Sequence, residues 1–218
     1  MAQHEPPDVG ARRGKSRRRQ GLGRGVACAL LAAGVLVAWA RAQDATARLD
    51  DAGQMVVDGR ATPYLIRHLP VNSFPELPAA IQEQLNARGC LIPQTYEAHE
   101  PENVVHASLE RAGSSDWAVL CSVKGTVSLL VFLDGSGPAV LASAPETERL
   151  QAHDPSGVLG FNWGIDPATP EQVHETQSAM RPRPARLEHD ALADSVIEQK
   201  TVYHYYRNHA WTMVDVGE

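Results

Sequence analysis

The side chains able to do chemistry are plentiful but scattered. Eight of the nine histidines lie beyond residue 42: His68, His99, His106, His153, His174, His189, His204 and His209. Imidazole and carboxylate are zinc's usual ligands outside thiolate sites, so His189, Asp190 and His204 form the candidate metal set, with Glu188 alongside. Neither an H-E-x-x-H helix motif nor a close H-x-H pair accompanies them, and scattered surface or capping histidines account for the same residues. A metal-dependent hydrolase is therefore the alternative reading of this chain.

Nucleophilic chemistry has less to stand on. There is no G-x-S-x-G elbow, and Gly113-Ser114-Ser115-Asp116 has the composition of a turn before a strand. Cys121 falls within an apolar strand pattern, which hides a thiol rather than activating it. Phosphate loops, dinucleotide glycine motifs and C-x-x-C pairs are missing, so no cofactor is expected. The aromatic C-terminal stretch Tyr203-His204-Tyr205-Tyr206 with Trp211 offers flat amphipathic rings, and Tyr206 and Trp211 are the candidate binding residues. Strand packing is the competing explanation for the same rings.

Of the three cysteines, Cys28 lies in the N-terminal apolar run, which leaves Cys90 and Cys121 as a pair. A disulfide between them is expected in an oxidising compartment, where its closed loop contributes roughly 3 to 4 kcal/mol. Two separately buried thiols are the other possibility.

The compartment is read from the N-terminus. Seven basic residues crowd positions 11–24, an uncharged apolar run follows at 25–40, and Ala40-Arg41-Ala42 has small residues at both positions of an A-x-A cleavage site. That order is a secretory signal, so residues 1–42 are expected to be removed and the remainder to be periplasmic or secreted. An uncleaved anchor is the alternative and the only membrane attachment expected. The chain holds 20 Lys and Arg against 26 Asp and Glu. Because eight of the basic and two of the acidic residues fall in 1–42, the remainder carries a formal net charge of −12. Such a domain repels phosphate backbones, so a nucleic acid partner is excluded and an envelope protein or glycan is expected instead.

The elements that must position these residues follow from apolar period and turn residues. Residues 43–60 are polar and without period, and read as a flexible arm ahead of one domain at 61–218. Leu77, Ile81 and Leu85 recur every four residues, with Pro78 near the start and Gly89 at the end, which predicts an amphipathic helix. Segments 117–123 and 126–133 flank Lys124-Gly125 and predict a hairpin pairing Trp117 with Phe132, Val119 with Leu130 and Cys121 with Ser128. Both faces of that hairpin are apolar, which places it mid-sheet. Residues 104–110 and 139–144 are expected to extend it into a meander.

Residues 159–165 predict a further strand, and Thr169-Pro170-Glu171-Gln172 predicts a capped helix start over 170–180. The chain closes on a second hairpin about Asn208-His209, with His204, Tyr206, Trp211 and Met213 on one face.

The stretch Ser115-Asp116-Trp117-Ala118-Val119-Leu120 followed by Gly125-Thr126-Val127-Ser128-Leu129-Leu130 resembles one blade of an FG-GAP or VCBS-type repeat. Those families build propellers from several copies with an Asp-rich cation loop. This chain has one copy, and Ala112-Gly113-Ser114-Ser115 stands in the loop, so the resemblance implies neither a propeller nor bound calcium. The wider pattern of Gly89-Cys90-Leu91-Ile92-Pro93-Gln94, Asp116 to Cys121 and the terminal Tyr203-His204-Tyr205 is similar to uncharacterised exported bacterial proteins, which implies export and a single domain.

The expected fold is α+β, a central antiparallel sheet of five to seven strands with two packed helices. The expected function is non-catalytic binding or interaction in the cell envelope.

Overall fold

Paired apolar strands set the architecture. The computed structural model describes residues 49–134 and 136–216; the expected export segment at 1–42 lies outside them. The described elements are β1 (Asp51–Val57), β2 (Arg60–Pro70), α1 (Ala79–Ala87), β3 (Leu91–Gln94), β4 (Val104–Ala107), β5 (Asp116–Val123), β6 (Thr126–Phe132), β7 (Ala139–Pro145), β8 (Leu150–Ala152), β9 (Leu159–Phe161), β10 (Trp163–Ala168), α2 (Pro170–Thr176), β11 (Ala191–Val196), β12 (Lys200–Arg207) and β13 (Ala210–Asp215). The fold is mostly sheet with two short helices, an α+β arrangement.

The strands divide into a nine-stranded sheet, ordered β7-β6-β5-β3-β2-β9-β8 with β1 beside β2 and β4 beside β5, and a four-stranded sheet ordered β10-β11-β12-β13. The expectation of one antiparallel sheet with five to seven strands is thus corrected in number and in kind, since β2 and β9 pair in parallel. The reason lies at Asn162. The apolar run 159–165 reads as one strand, but the Asn162 N–H donates to the Arg149 carbonyl and its own carbonyl accepts from Ile197, each at 2.9 Å. These bonds end β9 in the large sheet and start β10 in the small one.

Within the large sheet the β5–β6 register is the expected one, Trp117 opposite Phe132, Val119 opposite Leu130 and Cys121 opposite Ser128. Lys124 and Gly125 both take positive φ, 51° and 77°, as a two-residue turn matched to strand twist requires. Each face of this hairpin is covered. Trp117, Val119, Cys121, Leu130 and Phe132 pack with Leu77, Ile81 and Leu85 of the α1 region. On the opposite face Ala118, Leu120, Leu129 and Val131 pack against Trp163, Ile165 and Leu192 of the small sheet. The outer face of the small sheet, with Ala168, Ala191, Ala193 and Tyr205, closes on Val173 of α2 and on Leu187. The layers therefore run α1, large sheet, small sheet, α2.

Cys90 leaves the C-terminal end of α1 and is bonded to Cys121 on β5, with their Cα atoms 5.4 Å apart. The helix stops where Gly89 takes φ 71° and the Cys90 N–H returns to the Leu85 carbonyl at 3.0 Å, so the helix terminus itself delivers the thiol to the sheet.

Two further expectations change. Within the stretch read as a flexible arm, Asp51–Val57 forms β1, because Asp58-Gly59 closes a hairpin that pairs Asp51 with Ile66 and Val57 with Arg60. The second helix has its capping box, Thr169 and Gln172 bonding reciprocally, but its α-helical part ends at Thr176 and Gln177–Ala179 tightens into a 3-10 turn. Among the described residues no helix is long and apolar enough to cross a membrane.

Candidate functional site

A cleft of about 580 Å³ opens where three loops meet at the end of the small sheet. Its walls are Glu110 and Arg111 after β4, the segment from Arg186 to His189 before β11, and Tyr206 to His209 at the turn between β12 and β13. Asn208 and His209 take φ 53° and 59°, the turn geometry expected from the sequence, with Tyr206 opposite Trp211 and His204 opposite Met213.

Two of the three walls are held by hydrogen bonds from outside the cleft. The Asp116 carboxylate is fully buried and accepts from the backbone N–H groups of Leu109 and Glu110 at 2.8 Å and of Asp134 at 2.9 Å, and also from the Ser114 hydroxyl. That arrangement makes Gly113 to Asp116 a structural turn, as its composition predicts, and it fixes the Glu110–Arg111 wall. The second wall is clamped to the first: Asp190 N–H donates to the Ser108 carbonyl at 2.9 Å, and Ser108 N–H donates back to Asp190 Oδ2 at 3.1 Å. Loops held this way need no ordering before a ligand could enter.

The charged groups differ in how they are matched. Arg111 meets Glu110 at 2.5 Å and Asp134 at 3.8 Å, and Arg186 pairs with Glu171. The Arg207 guanidinium donates to the Ala185 carbonyl, a neutral acceptor. His189 Nδ1 lies 2.9 Å from the Asp190 carbonyl, which only accepts, so Nδ1 carries a hydrogen. Nε2 is the nitrogen left to meet a ligand, accepting from it when the ring is neutral and donating to it when the ring is charged.

The residues singled out from sequence are only partly gathered here. Tyr206 and His189 line the cleft. Trp211 meets Tyr206 edge to face at 5.3 Å, but it is not a lining residue and packs in part against the core between the two sheets. The candidate metal set is not assembled. Asp190 is committed to Ser108, and His204 Nε2 lies 3.0 Å from Asp194, whose other oxygen accepts from the indole N–H of buried Trp163 at 2.5 Å. Among the described residues no group of three or more His, Cys, Asp or Glu side chains is arranged to hold a metal ion.

Two polar features escaped the sequence reading. His68, 6% exposed, places Nε2 2.7 Å from Oε1 of Glu146, 3% exposed, while its Nδ1 lies 2.9 Å from the Leu49 carbonyl. A carbonyl on one nitrogen and a carboxylate on the other require both to carry hydrogens, so this is a buried imidazolium–carboxylate pair. Burial works against the charge on His68, but the Glu146 hydrogen bond and charge, with Leu49 and Asp51, outweigh it and raise its pKa above 6.5. For Glu146 burial likewise opposes ionisation, yet hydrogen bonds from His68 and Ser122 hold its pKa below 4.5. The sequence signal for His68 is its place after Tyr64 and Ile66 in strict alternation on β2; Glu146 gives none. The second feature is the Tyr96 ring stacked on His153 at 4.5 Å, beside a smaller cavity of about 170 Å³.

No protein-family model, curated protein or solved structure matches this chain.

Proposed function

We propose that this chain is a binding domain that works outside the cytoplasm, in the bacterial cell envelope, taking an envelope protein or glycan into the cleft beside Tyr206. The observation that carries the reading is the cleft itself, lined by Tyr206, three arginines and two histidines from three loops, two of them fixed by the Asp116 and Asp190 hydrogen bonds and the third a hairpin turn of the small sheet. Binding residues concentrate on such loops because the scaffold beneath supplies the positioning. The Cys90–Cys121 bond supports an oxidising compartment, and the basic, apolar and small-residue order of the first 42 residues supports export. The excess of acidic residues keeps nucleic acids outside the partner list.

The test is a panel of purified envelope glycans and envelope proteins presented to the exported protein and to its Tyr206→Ala variant. One or more members should be retained by the native protein and lost by the variant, which still unfolds in one cooperative transition. Retention that survives Tyr206→Ala would remove this cleft from the reading.

A further inference from the structure

We propose that the cleft selects a sugar carrying a carboxylate, a uronic acid residue, through Arg207. The inference rests on the binding reading above and specifies its ligand class.

Charge placement is the first ground. Past residue 42 the chain has twice as many acidic as basic residues, yet three arginines, Arg111, Arg186 and Arg207, line this one cleft with His189 and His209 against two carboxylates, Glu110 and Glu188. The second ground is how these charges are spent. Arg111 and Arg186 are each paired with carboxylates, whereas Arg207 is anchored by the Ala185 carbonyl, which orients the guanidinium without cancelling its charge. A guanidinium has five donors in a planar fork, so one anchoring bond leaves an edge able to take a carboxylate in two parallel bonds.

The remaining wall decides between a sugar acid and an apolar acid. Glu110, Glu188 and Asn208 supply acceptors for hydroxyl groups, and Tyr206 and His189 line the cleft beside them. Hydroxyls around a ring with one carboxylate match that set, whereas an apolar acid makes no use of those acceptors. Arg207 sits at the last β12 position, opposite Ala210, so the strand pair fixes its backbone next to that of Tyr206.

The experiment uses ¹⁵N-labelled protein expressed with its own leader and recovered after export. It is titrated with D-glucuronate, with methyl β-D-glucopyranoside, which keeps the ring but lacks the acid, and with acetate, which keeps only the acid. Glucuronate should give saturable shifts of the Arg207 side-chain N–H and of the backbone amides at 186–189 and 206–209, while the other two give at most weak, unsaturated ones. Arg207→Gln should weaken glucuronate about tenfold, and Arg207→Lys, which keeps the charge without the fork, should fall between. Amide dispersion in both variants reports that the fold is intact.

Equal response to glucuronate and methyl glucoside, or affinity indifferent to both substitutions, overturns the carboxylate selection while leaving the cleft as a binding site. Equal response to acetate overturns the sugar. Silence of the cleft amides toward all three overturns the inference outright, and the panel experiment then decides the broader reading independently.

Discussion

His68 and Glu146 meet as a buried ion pair, Nε2 to Oε1 at 2.7 Å, joining β2 to the turn that follows β7. The His68 pKa is raised, so its contribution is complete below 6.5, its ordinary value, and is lost as pH rises through the folded-state value. The Glu146 pKa is lowered, so its contribution is complete above 4.5 and is lost as pH falls through its folded-state value. Thermal unfolding followed from acid to alkaline pH should therefore show greatest stability between these two ordinary values, falling on either side. Removing one partner strands the other charge, and Glu146→Leu should cost about 3 to 5 kcal/mol near neutrality. A flat pH profile in the native protein would contradict the pair.

Asp116 reaches the candidate site without touching it. Asp116→Ala leaves the amides of Leu109, Glu110 and Asp134 without their acceptor, and should destabilise the fold by about 3 kcal/mol. It should also loosen the Glu110–Arg111 wall, so amide exchange at 109–111 should accelerate more than exchange in β6. Uniform acceleration would deny the carboxylate its local role.

Tyr206 and Trp211 should separate experimentally. Tyr206→Ala should cost about 0.5 to 1 kcal/mol, the loss of its edge-to-face contact with Trp211, while Trp211→Ala should cost about 2 to 3 kcal/mol because it loses that contact and its packing against the core between sheets. Urea unfolding of both variants checks this, and equal losses would contradict the division between cleft and core.

The Cys90–Cys121 bond ties α1 to the sheet across 31 residues of chain. The native protein should resist thiol alkylation until reduced, and reduction should lower stability by roughly 3 to 4 kcal/mol. Quantitative labelling without reductant would remove the bond from the account.

Much of this fold is legible in the sequence wherever period and turn chemistry agree. The β5–β6 hairpin is readable residue by residue because two apolar runs flank Lys124-Gly125, and the β12–β13 hairpin because alternation persists on both sides of Asn208-His209. What escapes is decided by long-range bonding. β1 has no clear alternation and becomes a strand through its partner β2. The split of the apolar run at Asn162, and with it the second sheet, depends on backbone groups of Arg149 and Ile197 far along the chain. The site divides in the same way. Tyr206 and His189 are conspicuous singly, but the Ser108–Asp190 clamp that helps place them in one cleft joins positions 82 residues apart, and nothing local announces it. Histidine count suggested a metal set that hydrogen bonding to Ser108 and Asp194 disperses.

The placement outside the cytoplasm underlies the proposed function, and the intact mass of the protein recovered from the envelope fraction, with and without reductant, tests it most directly. The account predicts a chain beginning at Gln43 whose mass rises by two hydrogens on reduction. A chain retaining Met1, found in the cytosol with Cys90 and Cys121 both free to alkylate, would contradict it.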